Sequence, residues 1–192
     1  IVTVFSEAST RTRSSFELAG KYLGADVINI TKSGSSMTKG ESMRDTLLTV
    51  SAMGVDAVII RDSSEGAALF ASKVMSPKVK VPVVLNAGDG AHAHPSQALL
   101  ELFTLKEAGK NIKGMKYVII GDILHSRVAR SDIYGFTKLG AEVHLVGPRT
   151  LVPKELESMG CIVDDDLETA LKDADVINIL SIQLERAAAG FI

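Results

Sequence analysis

Two arginines stand where a helix would be expected to avoid them. In FSEASTRTRSSFELAG, residues 5–20, Ser9, Thr10 and Thr12 have the character of a helix cap and first turn. Phe16, Leu18 and Ala19 then read as the first apolar contacts. The start of a helix is already partially positive and favours Asp and Glu, yet Arg11 and Arg13 occupy this turn. A dianion seated on the helix start would resolve the conflict. Free backbone N–H groups and three hydroxyls would donate to it, and an arginine fork can hold two of its oxygens at once. The alternative is a solvated turn whose arginines pair with Glu7 or Glu17.

Other stretches suggest related chemistry. In NAGDGAHAHPSQALLELF, residues 86–103, Pro95 suits a first helical position, which makes His94 the cap. Gln97 falls in the first turn and can reach back over the helix start. His94 and Gln97 together suit a bound carbonyl that carries an amide; otherwise His94 only caps. In VIIGDILHSRVARS, residues 118–131, a strand, a Gly-Asp turn and a helix follow one another. The further glycines of a dinucleotide fingerprint are absent after Gly121, so that reading fails. Arg127 is again a cation in a first turn and predicts a second anion, the alternative being a surface arginine paired with Asp122 or Asp132. Arg61 directly follows the apolar run AVII, at a strand's carboxyl end, where ligands of parallel sheets bind. A different class of site is a metal pair, His92 and His94 with Asp89 nearby, for which only His125 and His144 could add imidazoles.

These groups need a frame that gathers strand ends and helix starts. Short β-branched runs at 1–5, 26–30, 56–60, 81–85, 117–121, 142–146, 161–163 and 175–180 read as strands. Amphipathic runs at 10–23, 41–53, 65–74, 95–108, 126–139, 153–159 and 167–172 read as helices. AVII, YVII and VINIL are apolar on both faces, as buried parallel strands require. Regular alternation of the two predicts α/β architecture with helices on both faces of parallel sheets. The polar, Gly- and Lys-rich stretch at 105–116 interrupts the pattern and predicts a domain boundary near residue 109. Residues 31–41, TKSGSSMTKGE, predict an exposed, mobile loop whose long cations are Lys32 and Lys39.

Composition narrows the class. The 192 residues are 46% hydrophobic, enough for one large domain or two small ones, and the net charge of -2 gives no support to nucleic-acid or membrane-surface binding. No apolar run approaches a membrane span, and no signal peptide is recognisable. A single cysteine, Cys161, rules out an internal disulfide and fits a reducing cytoplasm. The chain opens on IVTVF and stops at AAAGFI, and both ends look cut, so a fragment is expected.

In order along nearly the whole chain, STRTR (9–13), SSMTKGE (35–41), HPSQ (94–97), GDILHSR (121–127) and IQLER (182–186) resemble the aspartate carbamoyltransferases. STRTR alone is shared with ornithine carbamoyltransferases; the lysine of TKGE and the QLER segment favour aspartate. The resemblance implies two three-layer α/β domains with parallel sheets, the second incomplete. Residues 1–108, linking helix included, would bind carbamoyl phosphate, and 109–192, truncated, would bind L-aspartate, with the site in the cleft between them. It implies Ser9, Thr10, Arg11 and Thr12 on the phosphate. Thr12, Arg61 and His94 would polarise the carbamoyl oxygen, and Gln97 would hold the carbamoyl amide. Arg127 and Gln183 would hold aspartate. A cytoplasmic homotrimer is implied too, in which Ser35 and Lys39 enter a neighbour's site, Lys39 reaching both substrates. The resemblance calls for no metal or cofactor, nucleic acid or membrane, and it admits regulatory chains. The family carries an arginine two residues before the glutamine of QLER, where this chain has Ser181. A chain that binds carbamoyl phosphate with little aspartate turnover, or that carbamoylates another amine, is therefore the competing expectation.

Overall fold

The structure, a computed structural model, describes residues 1–75 and 81–181. They fall into two compact units, residues 1–90 and the part of the chain from Ala91 onward. In the first, β1 (Val2–Phe5), α1 (Thr10–Tyr22), β2 (Ile28–Thr31), α2 (Met43–Ala52), β3 (Ala57–Asp62), α3 (Ala67–Val74) and β4 (Val83–Asp89) follow in order. The strands form one parallel sheet in the order β2-β1-β3-β4. Val2, Val4, Val58 and Ile60 bury one face of it against Leu47 and Val50 of α2 and Ala67 and Ala71 of α3. Phe5, Ile59 and Ala87 form a smaller cluster on the other face, with Phe16 of α1 packed against it. The layers are thus helix, sheet, helix.

The second unit repeats the plan with α4 (Pro95–Glu107), β5 (Lys116–Ile120), α5 (Arg127–Lys138), β6 (Glu142–Val146), β7 (Ile162–Val163), α6 (Leu167–Leu171) and β8 (Val176–Ile179). Its parallel sheet runs β7-β6-β5-β8. Tyr117, Ile119, Val143 and Leu145 meet Ile133 and Phe136 of α5, with Leu102 and Leu105 of α4 packed alongside. Val118 and Val146 meet Ala170 of α6 on the opposite face. Tyr117 and Phe136 stack with ring centroids 3.9 Å apart.

The predicted alternation and the parallel α/β class are borne out, and several details are corrected. VINIL does not become a strand buried on both faces: β8 is an edge strand, and Ile177 and Ile179 are 49% and 76% exposed. Hydrophobic content alone does not separate an edge strand from a central one, because both face the core on one side. β3 and β4 run further than expected, so Arg61 lies inside β3, opposite Phe5, rather than after a strand. Residues 154–159 form a 3-10 helix, started by Pro153 and stopped by Gly160 at φ 86°, too short to propagate an α-helical ladder. On α1, Phe16 makes its apolar contact, but Leu18 and Ala19 are exposed. The buried face of α1 instead carries Gly20, where a Cβ would come within 2.6 Å of Val27.

Candidate active site

At the carboxyl end of the first sheet, β1 leads through residues 6–9 into α1. Ser9 is the N-cap in extended conformation, but its side chain makes no capping hydrogen bond, and the first turn holds no acid. That differs from α2, α5 and α6, whose N-cap Ser42, Ser126 and Asp166 side chains accept from Asp45, Ala129 and Thr169 N–H groups. The α1 start therefore keeps N–H donors that its own cap does not satisfy. A cavity of about 420 Å³ opens there, with Ser9, Thr10 and Arg13 of the α1 segment facing Thr31, Lys32 and Ser33. The two arginines of STRTR separate: Arg13 lines the cavity, while Arg11 is exposed.

Of the arginine–acid pairings drawn from sequence for this turn, only Arg13 acts on Glu17, by its charge, while the acids' hydrogen bonds go elsewhere. Glu17 accepts from Lys21 Nζ at 2.6 Å and from Asn29 Nδ2 at 2.8 Å, which hold its carboxyl below the ordinary range. Glu7 accepts from Arg61 Nη2 at 2.9 Å, and Arg61 Nη1 donates to the Ala87 carbonyl at 3.2 Å. Arg61 is thus buried and braced between β1's exit loop and β4. Neither Glu7's hold on Arg61 nor Lys32's place in the cavity follows from spacing, since each pairs residues from separate strand ends.

In the predicted loop Ser35 is the extended residue between two 3-10 turns, Lys32–Gly34 and Ser36–Lys39, and Lys39 ends the second. Lys39 is exposed and Ser35 half-buried, and Met37 between them packs against the first core.

In the second unit Pro95 opens α4 with His94 as N-cap, as the sequence predicts, and the His94 side chain makes no capping bond. The His94 N–H donates to Ser131 Oγ at 2.8 Å, and that hydroxyl donates to the Arg127 carbonyl at 3.0 Å, so the start of α4 is tied to the first turns of α5. Ser96 Oγ lies 3.2 Å from His94 Nδ1. Gln97 does not reach back over the helix start; its Nε2 donates forward to Glu101 Oε1 at 3.0 Å. Arg127 is 3% exposed, which excludes the surface arginine. Asp122, just before it, accepts from the N–H and Nδ1 of His125. Gly121, at φ 122°, stands where a Cβ would meet the Leu180 carbonyl at 2.7 Å, so its glycine answers to a close backbone approach and not to a phosphate loop. Ser181 is exposed just beyond β8, and Gln183 lies outside the described residues. No group of three or more His, Cys, Asp or Glu suited to a metal occurs among the described residues, so His92 and His94 gain no third ligand there. No described helix is long and apolar enough to cross a membrane.

Comparison with known proteins bears on this geometry. Residues 1–107 match the family model described as aspartate/ornithine carbamoyltransferase, carbamoyl-P binding domain. The aspartate carbamoyltransferase catalytic subunit of Desulforamulus reducens is 57% identical over 190 residues, covering 99% of this chain and 59% of the relative. The chain thus spans about three-fifths of the length of such relatives. The catalytic subunit of M. jannaschii aspartate transcarbamoylase superimposes with a TM-score of 0.79 at 38% identity, over 96% of this chain and 61% of that one. Aspartate transcarbamoylase from Trypanosoma cruzi, solved with N-(phosphonacetyl)-L-aspartic acid, gives 0.81 at 30% identity, over 98% and 62%.

Proposed function

Since this chain belongs to the aspartate/ornithine carbamoyltransferase family, we propose that it transfers the carbamoyl group of carbamoyl phosphate to the α-amine of L-aspartate. The products are N-carbamoyl-L-aspartate and phosphate, a step of pyrimidine synthesis. One observation carries the reading: a helix start left uncapped by its own serine, with cations in place of acids, opening on a cavity. Such a start suits a dianion.

The deprotonated amine attacks the carbamoyl carbon, and negative charge develops on the carbamoyl oxygen. Preorganised donors contribute most at that point. Arg61, His94 and Thr12 serve there, while Ser9, Thr10, Arg11 and Thr12 hold the phosphate and Gln97 the carbamoyl amide. The leaving phosphate takes the amine proton, so no dedicated base is needed. Much of the acceleration comes from orienting two anions, which calls for a dense set of cations in a chain of net charge -2. Arg127, Gln183 and Lys39 serve aspartate. Residues 1–108 form the carbamoyl-phosphate domain, with α4, which packs within the second compact unit, as the linking helix, and 109–192 form part of the aspartate domain. The working unit is a cytoplasmic homotrimer with Ser35 and Lys39 serving a neighbour's site, to which regulatory chains can attach.

Ser181 favours a second reading, a chain that binds carbamoyl phosphate but turns aspartate over slowly, because a serine replaces the arginine fork expected for the second carboxylate. Turnover of the full-length protein separates the two. Release of phosphate that depends on aspartate, and not on ornithine, supports the enzyme. Carbamoyl-phosphate binding without such release supports the second reading, and absence of binding removes both.

A further inference from the structure

Glu101 of α4, Tyr117 of β5, Asp132 of α5 and Asn178 of β8 meet inside the second unit, and this cluster touches Gln97. Tyr117 Oη donates to Glu101 Oε2 at 2.8 Å. Asn178 Nδ2, with two hydrogens to share, lies 3.1 Å from the same oxygen, 2.8 Å from Tyr117 Oη and 3.2 Å from Asp132 Oδ2. Glu101 Oε1 accepts from Gln97 Nε2. Glu101 thus accepts from Gln97 on one oxygen and from Tyr117 on the other, with Asn178 beside it. Asp132 is 0% exposed, and its Oδ1 has no hydrogen-bond partner. Two adjacent carboxylates without a cation do not both stay charged in such a place. Burial first, and then the neighbouring Glu101, push Asp132 up to about 9, so it carries the proton at neutral pH. Burial, with both carboxyl groups nearby, also raises the Tyr117 hydroxyl, which remains a donor. The titratable groups facing Asp132 are thus Glu101 from α4 and Tyr117 from β5, while β8 presents the neutral Asn178.

We propose that Glu101 is a positioning residue that fixes which way round the Gln97 amide faces. A carboxylate only accepts, so it can meet only the NH2 end of Gln97. Gln97 Oε1 is then left as the acceptor for a ligand. A carbamoyl group offers an N–H2 to such an acceptor, whereas an acetyl group offers only a methyl. Glu101 would in this way select carbamoyl phosphate over acetyl phosphate, a step that rests on the carbamoyl-phosphate reading above. The amide orientation itself does not rest on it.

The test uses the full-length protein with 15N-labelled glutamine, the Gln97 signal being the one lost in Gln97→Ala. The Gln97 NH2 should exchange with solvent more slowly than a free amide at neutral pH, because Glu101 accepts from it. Glu101→Gln should abolish the protection, and Glu101→Asp should restore part of it. In parallel, calorimetry should show wild-type preference for carbamoyl over acetyl phosphate narrowing at least about tenfold in Glu101→Gln. Unchanged exchange and unchanged preference in a Glu101→Gln protein of normal melting temperature would overturn the proposal. If Glu101→Gln does not fold, a Gln97 NH2 that exchanges at the rate of a free amide in the wild type overturns it instead. A wild type that shows the predicted exchange but binds neither phosphate sinks the functional reading and leaves the amide orientation standing.

Discussion

Arg11 and Arg13 share a helical turn, yet only Arg13 lines the cavity at the α1 start. Side chains two positions apart on a helix point in divergent directions, so spacing alone could not divide their roles. If Arg11 grips phosphate as proposed, Arg11→Ala should abolish carbamoyl-phosphate binding by calorimetry while leaving the melting temperature unchanged. Retained binding with a lower melting temperature would make Arg11 structural. Ser181 poses the complementary question. A charge-assisted, bidentate contact exceeds a neutral one by a few kcal/mol, on the order of a hundredfold in affinity or rate. Ser181→Arg in the full-length protein should therefore raise turnover at subsaturating aspartate by about an order of magnitude or more. Equal rates for the two forms would mean that another cation, such as Lys39, carries the second carboxylate.

Caps divide the helices into those that secure their own starts and those that leave them open. Ser126 accepts from the Ala129 N–H at 3.1 Å, and Ser126→Ala should cost about 1 kcal/mol of stability. Ser9 makes no such bond, so Ser9→Ala should leave denaturation midpoints nearly unchanged while weakening carbamoyl-phosphate binding. Equal destabilisation by the two substitutions would contradict the assignment. Both serines look alike in sequence, because a cap is recognised by residue type while its hydrogen bond depends on how the preceding loop enters. The Asp132 cluster acts at the same scale, joining α4, α5, β5 and β8. Asp132 is raised from an ordinary 3.8 to about 9, so the folded state holds a proton that the unfolded chain has released. The stability it contributes is full below the lower value and is lost as pH rises toward the upper one. Asp132→Asn should accordingly raise the melting temperature more at pH 8 than at pH 5; a gain independent of pH would show that Asp132 does not hold the proton.

At the scale of the whole molecule, the proposed trimer predicts complementation. Lys39→Ala and His94→Ala, each inactive alone, should regenerate activity when their subunits are exchanged, since some sites would then receive both wild-type groups. No recovery after demonstrated exchange would place Lys39 in its own chain's site. The alternation of strands and helices, the parallel sheets and the starts of α1 and α4 were legible in the sequence. Those features depend on residue periodicity and on Pro and Ser at fixed offsets, which are local. Burial of β3 and β5 followed from the same patterns, but the exposed faces of β4 and β8 did not, because sheet order decides which strands lie at an edge. Glu7 on Arg61 and Glu101 beside Asp132 join residues 54 and 31 positions apart, and neither pairing is visible in the chain. Only the tertiary structure decided them, because whether a carboxyl is solvated, ion-paired or protonated depends on what the fold brings within a few ångströms of it.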